Sequence, residues 1–286
     1  MDRQLLIPEE VRFQTADLML AGLRWGKAGQ PVIIALHGWL DNAASFIYLA
    51  PLLKGYQVIA LDMAGHGYSD YLPANKDYKL AGVADYILQV LQELKLSSAI
   101  FLGHSLGGVI ASYLAAYFPQ QVEKLIMLDA IGPLSQETIA IPGKLQKSVQ
   151  SFIAAEQRTP RDYASIAEML KLRAKVNGVP SERLQPLVER AVNKTNQGYR
   201  WRFDPRLRLP SLSYFTEAEV LKMLTYIEMP TLIIEAMEGI LANMEFVATR
   251  KKALCNLTVV KLPGCHHLHL VYAAEVAQTI LNFLAY

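Results

Sequence analysis

The chain has 286 residues, is 52% hydrophobic and carries a formal net charge of +2. That is enough chain for one sizeable core, one α/β domain with an insertion, and the charge is too balanced to argue for a nucleic-acid partner. No apolar run reaches the length of a membrane span, and the two cysteines, Cys255 and Cys265, give neither a disulfide framework nor metal-ligand spacing. Met1-Asp2-Arg3-Gln4 is charged from the outset, so the expectation is a chain without a secretory leader, in a reducing, cytoplasmic compartment.

Val11–Thr15 and Leu18–Trp25 read as two strands joined by a tight turn at Ala16-Asp17. Pro31–Leu36 is a short apolar run, a third strand buried on both faces, and leads into His37-Gly38-Trp39-Leu40-Asp41. A helix is predicted from Asp41 or Asn42, either of which can cap it, through Phe46 to Leu53. Tyr56–Leu61 is the next strand, followed by the turn-rich Asp62–Ser69. Lys79–Leu94 has helical periodicity through Leu80, Val83, Ala84, Ile87, Val90, Leu91 and Leu94. Ala99–Leu102 is a buried-type strand, Gly108–Phe118 an apolar helix stopped by Pro119, and Lys124–Leu128 a strand ending at Asp129. After Gly132-Pro133 the alternation ceases. Residues 134–225 read as helical, polar and basic, with fifteen Lys/Arg against nine Asp/Glu. The pattern resumes with a strand at Pro230–Ile234, a helix at Phe246–Lys252, a strand at Leu257–Leu262 and a helix at Ala273–Tyr286. The prediction is a mostly parallel sheet covered by helices, formed by residues 1–133 and 226–286, with residues 134–225 inserted as a helical cap.

Between the fifth strand and its helix lies Gly103-His104-Ser105-Leu106-Gly107, a G-x-S-x-G match in the strand-turn-helix setting that motif requires. A nucleophile at the tip of so sharp a turn has strained backbone angles, and side chains two residues to either side would collide; glycines remove them. Ser105 is therefore the candidate nucleophile, with the free amides of the following helix beside it. Serine needs a base, and the base an orienting carboxylate. Of the six histidines, only His266, His267 and His269 follow the last strand. His266, just past the strand-end turn, is the preferred base and His267 the runner-up. Three histidines in four residues also suggest a metal, but no second ligand cluster with matching spacing accompanies them, so no metal is expected. The acid has two candidates. Asp129, a lone charge at the end of an apolar strand beside that of Ser105, is preferred; Glu238, in the segment after the Pro230 strand, is the alternative. The amides of Leu106 and Trp39 are the candidate oxyanion donors. Trp39, His104 and Trp201 are the candidate substrate contacts, and His37 reads as a structural hydrogen-bonding residue.

Taken in order, His37-Gly38-Trp39, the Asp62–Ser69 segment with Gly65-His66-Gly67, Gly103–Gly108 and Pro263-Gly264-Cys265-His266 resemble the α/β-hydrolase superfamily over nearly the whole chain. More narrowly, His37–Ala43 and Pro263–His269 are similar to the serine hydrolase-like proteins, presumed hydrolases with poorly defined substrates. The resemblance implies an α/β-hydrolase fold and a Ser–acid–His triad that includes Ser105 and His266. The commonest pattern puts an aspartate after the Pro230 strand, which this chain lacks; haloalkane dehalogenases and certain bacterial esterases place the acid where Asp129 stands. Haloalkane dehalogenases and epoxide hydrolases carry an aspartate at the elbow, so Ser105 argues against their chemistry. The expectation is a cofactor-independent serine hydrolase, a carboxylesterase acting on small or medium acyl esters. The alternatives are a carbon–carbon or thioester hydrolase with the same triad, and a non-catalytic ligand-binding homologue.

Overall fold

Short runs of aliphatic and β-branched residues form the strands, and the longer 3.6-periodic runs form the helices. The computed structural model describes residues 7–155, 161–211 and 213–285. Strands β1 (Glu9–Gln14) and β2 (Met19–Trp25) form a hairpin; β3 (Val32–Leu36) and β4 (Gln57–Leu61) follow, then helix α1 (Leu80–Glu93), β5 (Ala99–His104), α2 (Leu106–Tyr117) and β6 (Val122–Leu128). The insertion holds α3 (Ile141–Ala155), α4 (Ile166–Asn177), α5 (Ser181–Arg190), β7 (Val192–Thr195), β8 (Gly198–Trp201) and α6 (Glu217–Leu224). The chain closes with β9 (Thr231–Glu238), α7 (Val247–Ala253), β10 (Leu257–Cys265), the short α8 (Leu268–Val271) and α9 (Ala273–Leu284).

Eight strands make one sheet in the order β1-β2-β4-β3-β5-β6-β9-β10. Strand β2 runs against both neighbours, and the remaining pairings are parallel. Alternation along each strand feeds two cores: Ile34 and Leu36 of β3 enter the one beneath α1 and α2, Ile33 and Ala35 the one beneath α9. Because β3, β5, β6 and β10 are parallel, the loops carrying Trp39, Ser105, Asp129 and His266 all leave the same edge of the sheet.

Four local expectations are corrected. The helix expected from Asp41 or Asn42 to Leu53 is two 3-10 turns, Ala43–Phe46 and Ala50–Leu52. Pro51 has no N–H to give and crowds the carbonyl four residues back, which disfavours a continuous α-helix through this stretch. Asn42 rather than Asp41 is the cap, accepting from the Ala44 amide at 3.0 Å. Helix α2 begins at Leu106, so a single residue, Ser105, separates it from β5. The insertion is not wholly helical: Val192–Thr195 and Gly198–Trp201 pair as an antiparallel hairpin, and Tyr163 exchanges two backbone hydrogen bonds with Tyr199 alongside it. Finally, β9 runs on through Glu235–Glu238, the stretch expected to be a loop.

The insertion is tied down by charges. Arg190 of α5, almost fully buried, donates through Nε to both oxygens of the buried Asp62 at 3.0 Å and reaches Glu10 through Nη1 and Nη2. Arg250 of α7, fully buried, donates to the carbonyls of Ile131 and Pro133 and pairs with Glu217 of α6. Among the described residues no helix is long and apolar enough to cross a membrane.

Candidate active site

Ser105 sits at the N-terminus of α2 with φ 51° and ψ −117°. A β-carbon on Gly103 would lie 2.4 Å from the Gly107 backbone, and one on Gly107 would lie 1.9 Å from the Leu36 carbonyl oxygen. Helix, strand β5 and strand β3 thus close around this turn only because both positions are glycine. A non-glycine residue held at positive φ between a buried strand and a helix is stored strain, paid for by the packing on both sides.

Asp129, at the end of β6, also has positive φ, 46°, and is fully buried. Its amide donates to the Ile234 carbonyl at 2.8 Å. Its carboxylate accepts from the amides of Ile240 (2.8 Å) and Ala236 (3.4 Å), and Oδ2 lies 2.7 Å from His266 Nδ1. The carboxylate oxygen accepts the Nδ1–H, which leaves the lone pair on His266 Nε2. The end of β9 is shaped around this carboxylate, since a β-carbon on Gly239 would lie 2.3 Å from Asp129 Oδ2. Glu238 is exposed and, among the described residues, makes no side-chain hydrogen bond or ion pair. His267, the runner-up base, is turned elsewhere: its Nε2 meets Asn177 Nδ2 at 3.1 Å.

Leu106 is the first residue of α2, which leaves its amide free of intrahelical partners. Trp39 is half exposed, and its Nε1–H donates to the Leu207 carbonyl in the insertion at 2.9 Å. The next residue, Leu40, has φ 59°, and its amide donates to His66 Nε2 at 3.3 Å. His37 acts structurally, as expected: Nδ1–H donates to the Gly38 carbonyl and Nε2 accepts from the Met63 amide. Burial lowers both rings' affinity for a proton, His66 to about 3 with the neighbouring His37 adding to the effect.

His104 is corrected. Expected as a substrate contact, it is 1% exposed, with its ring centroid 4.6 Å from His266, 5.0 Å from His267 and 4.2 Å from His269. Neighbouring side chains on an extended chain point to opposite sides, so while Ser105 leaves the strand tip His104 turns inward. Its Nε2 meets the His266 carbonyl at 2.9 Å, and burial followed by the charges of His269, His267 and His266 holds it well below the ordinary histidine range. Trp201 stacks 6.2 Å from Phe203 and meets Tyr163 edge-on at the same separation, contacts that fix its ring while leaving it partly exposed.

One group was missed. Asp41, considered only as a helix cap, is buried and paired with Arg173 of α4. Burial pushes its carboxyl up, but Arg173, His267 and His104 together hold it well below the usual range. A lone charge in the otherwise uncharged stretch Gly38–Phe46 was the available signal. Asp41, His104 and His267 bring potential ligand atoms within 4.8 Å of one another. Arg173 already balances the one negative charge in that group, which disfavours a cation there.

A strained serine between strand and helix, with a His–Asp pair on the same sheet edge, defines the class to which the comparisons also point. Residues 31–273 match the profile described as alpha/beta hydrolase fold. The chain belongs to the α/β-hydrolase family. It is 34% identical over 284 residues to a serine hydrolase-like protein of Dictyostelium discoideum, covering 93% of this chain and 78% of that one. It is 32% identical to a probable serine hydrolase of Drosophila melanogaster, over 91% and 82% of the two chains. Among solved structures, a hypothetical protein of Pseudomonas aeruginosa superimposes with a TM-score of 0.93 at 34% identity, over 97% of this chain and 100% of that one. The thioesterase domain from the curacin biosynthetic pathway gives 0.85 at 25% identity, over 96% and 99%.

Proposed function

We propose that this chain is a cofactor-independent serine hydrolase that cleaves small or medium carboxylic esters. The observation that carries the reading is the strained Ser105 on the same sheet edge as a His266–Asp129 pair closed at 2.7 Å. Ser105 Oγ attacks the acyl carbonyl while His266 Nε2 takes its proton. Asp129, not Glu238, holds Nδ1–H and stabilises the imidazolium. The amides of Leu106 and Trp39 receive the developing oxyanion. His266 then returns the proton to the leaving alcohol, and the acyl-enzyme is released by a water that His266 deprotonates. The insertion acts as a cap over this edge, with the indoles of Trp39 and Trp201 offered as apolar walls for the substrate.

A thioester is the second reading, favoured by the likeness to the curacin thioesterase domain, since the same groups serve an acyl thioester without change. The test is turnover of a chain-length series of p-nitrophenyl esters beside the matching acyl thioesters, wild type against Ser105→Ala. The expected result is ester turnover abolished in the variant with its fold intact. Equal rates in wild type and variant contradict the serine mechanism, and thioester turnover far above ester turnover shifts the substrate class.

A further inference from the structure

His266 is held from two sides. Asp129 takes the ring, and His104 takes the backbone, Nε2 to the His266 carbonyl at 2.9 Å. A carbonyl only accepts, so His104 carries its proton on Nε2, and its Nδ1 presents a lone pair. That lone pair faces Asp41 Oδ2 at 3.9 Å, and His267 Nε2 lies 3.6 Å from the same oxygen. Neither His104 Nδ1 nor Asp41 Oδ2 has a hydrogen-bond partner among the described residues. The other Asp41 oxygen is taken by the guanidinium of Arg173, whose side chain is largely buried. Helix α4 reaches the same cluster again, one turn on, through Asn177, which meets His267 in the loop after β10. Two residues of the insertion therefore end on the cluster that grips the backbone of His266 and its neighbour. A buried ion pair contributes little net stability against an apolar replacement, so its placement calls for another role.

We infer that Arg173 and Asn177 are positioning residues for His266: helix α4 of the insertion fixes the base relative to Ser105 through the buried Asp41–His104–His267 cluster. The inference rests on the hydrolase reading above for its catalytic consequence. It couples the seating of the insertion to the geometry of the base, where small displacements have large effects on rate.

The test measures kcat and KM across pH for Arg173→Met, Arg173→Lys, Asn177→Ala and the double variant Asp41→Asn/Arg173→Met, with active sites counted by a fluorophosphonate label. Arg173→Met is expected to lower kcat about ten- to hundred-fold with KM changed by less than about threefold. Arg173→Lys recovers part of the loss, and Asn177→Ala gives a smaller loss of the same kind. The charged and titratable groups around His266 are Asp129 after β6, His104 at the end of β5, His267 in its own loop, His269 in α8, and Asp41 after β3 with Arg173 behind it. Without Arg173 the Asp41 carboxylate is uncompensated and favours a protonated imidazole. The acid limb of kcat/KM then moves to higher pH. The double variant removes both charges, so the limb returns to its wild-type position while kcat stays low; it carries the same kcat prediction where Arg173→Met alone does not fold. Wild-type kcat per labelled site with an unmoved acid limb overturns the inference. The ring resonances of His266 read the coupling without substrate: Arg173→Met is expected to shift them and leave those of His37 and His66 in place. Unshifted His266 resonances overturn the inference, whereas a wild type without ester turnover overturns the hydrolase reading alone.

Discussion

At the scale of single residues, the carboxylate of Asp129 is the most constrained group in the site. It is buried, stands on a residue of positive φ, accepts two amides and closes on His266, with Gly239 leaving the space it fills. Asp129→Asn keeps the shape but turns an acceptor towards a donor, and the expected loss in kcat is about 10⁴-fold, as for the orienting aspartate of serine proteases. Glu238→Gln, at an exposed strand end, is expected to stay within about twofold of wild type. A larger loss in Glu238→Gln than in Asp129→Asn would reassign the acid. The positions of Ser105 at the strand–helix turn and of His266 past the last strand were legible because each lies in a short local pattern whose glycines have a steric reason. The Asp129–His266 contact spans 137 residues, and no local pattern says which carboxylate reaches the ring. His104 was misread because adjacency to Ser105 in sequence is not adjacency in direction, and Asp41 because its partner Arg173 lies 132 residues away.

At the scale of elements, the fold places helix α5 of the insertion against the core by burying a charge. Arg190 and Asp62 are both enclosed, and Asp62 also accepts the amides of Ala43 and Tyr68. Arg190→Met leaves that carboxylate buried without its cation, and the expected loss of unfolding free energy, read by urea denaturation, is about 3–5 kcal/mol. The double variant Asp62→Asn/Arg190→Met recovers part of it, and a single variant within about 1 kcal/mol of wild type would show the pair to be dispensable. The strands and long helices were readable because apolar runs and 3.6-residue periodicity persist over whole elements, with most ends misplaced by a residue or two and those of β9 and β10 by four and three. The 3-10 turns around Pro51 and the β7–β8 hairpin were not. A proline late in a helical pattern breaks it without changing the pattern, and two four-residue strands are too short to set a period against flanking helices.

At the scale of the molecule, burial of neutral imidazoles makes stability depend on pH. His37, His66, His104 and His269 all have a lowered affinity for protons, burial being the largest cause in each, with His66 and His269 brought to about 3 from 6.5. The unfolded chain takes these protons as pH falls below about 6.5, and the native state does not until far lower, so stability is full above that value and is lost on acidification towards 3. Asp41, held below the usual carboxylate range, adds to the loss at the lowest pH. The urea midpoint is therefore expected to hold between pH 8 and 7 and to fall steadily from pH 6 to pH 4; a midpoint level down to pH 4 would contradict the buried, neutral state of these rings. The overall plan, a mostly parallel sheet flanked by helices, was legible in the sequence because its strands are continuous apolar runs. How the insertion is held was not, because Arg173, Arg190 and Arg250 each reach a partner far off in sequence.

The central claim, that Ser105 is an activated nucleophile, is tested most directly by reaction with a fluorophosphonate followed by intact-mass and peptide analysis. The account predicts one adduct per chain, on Ser105, absent in Ser105→Ala and formed far more slowly in His266→Ala. Labelling that persists undiminished in Ser105→Ala, or a wild type that takes up no label, would contradict it.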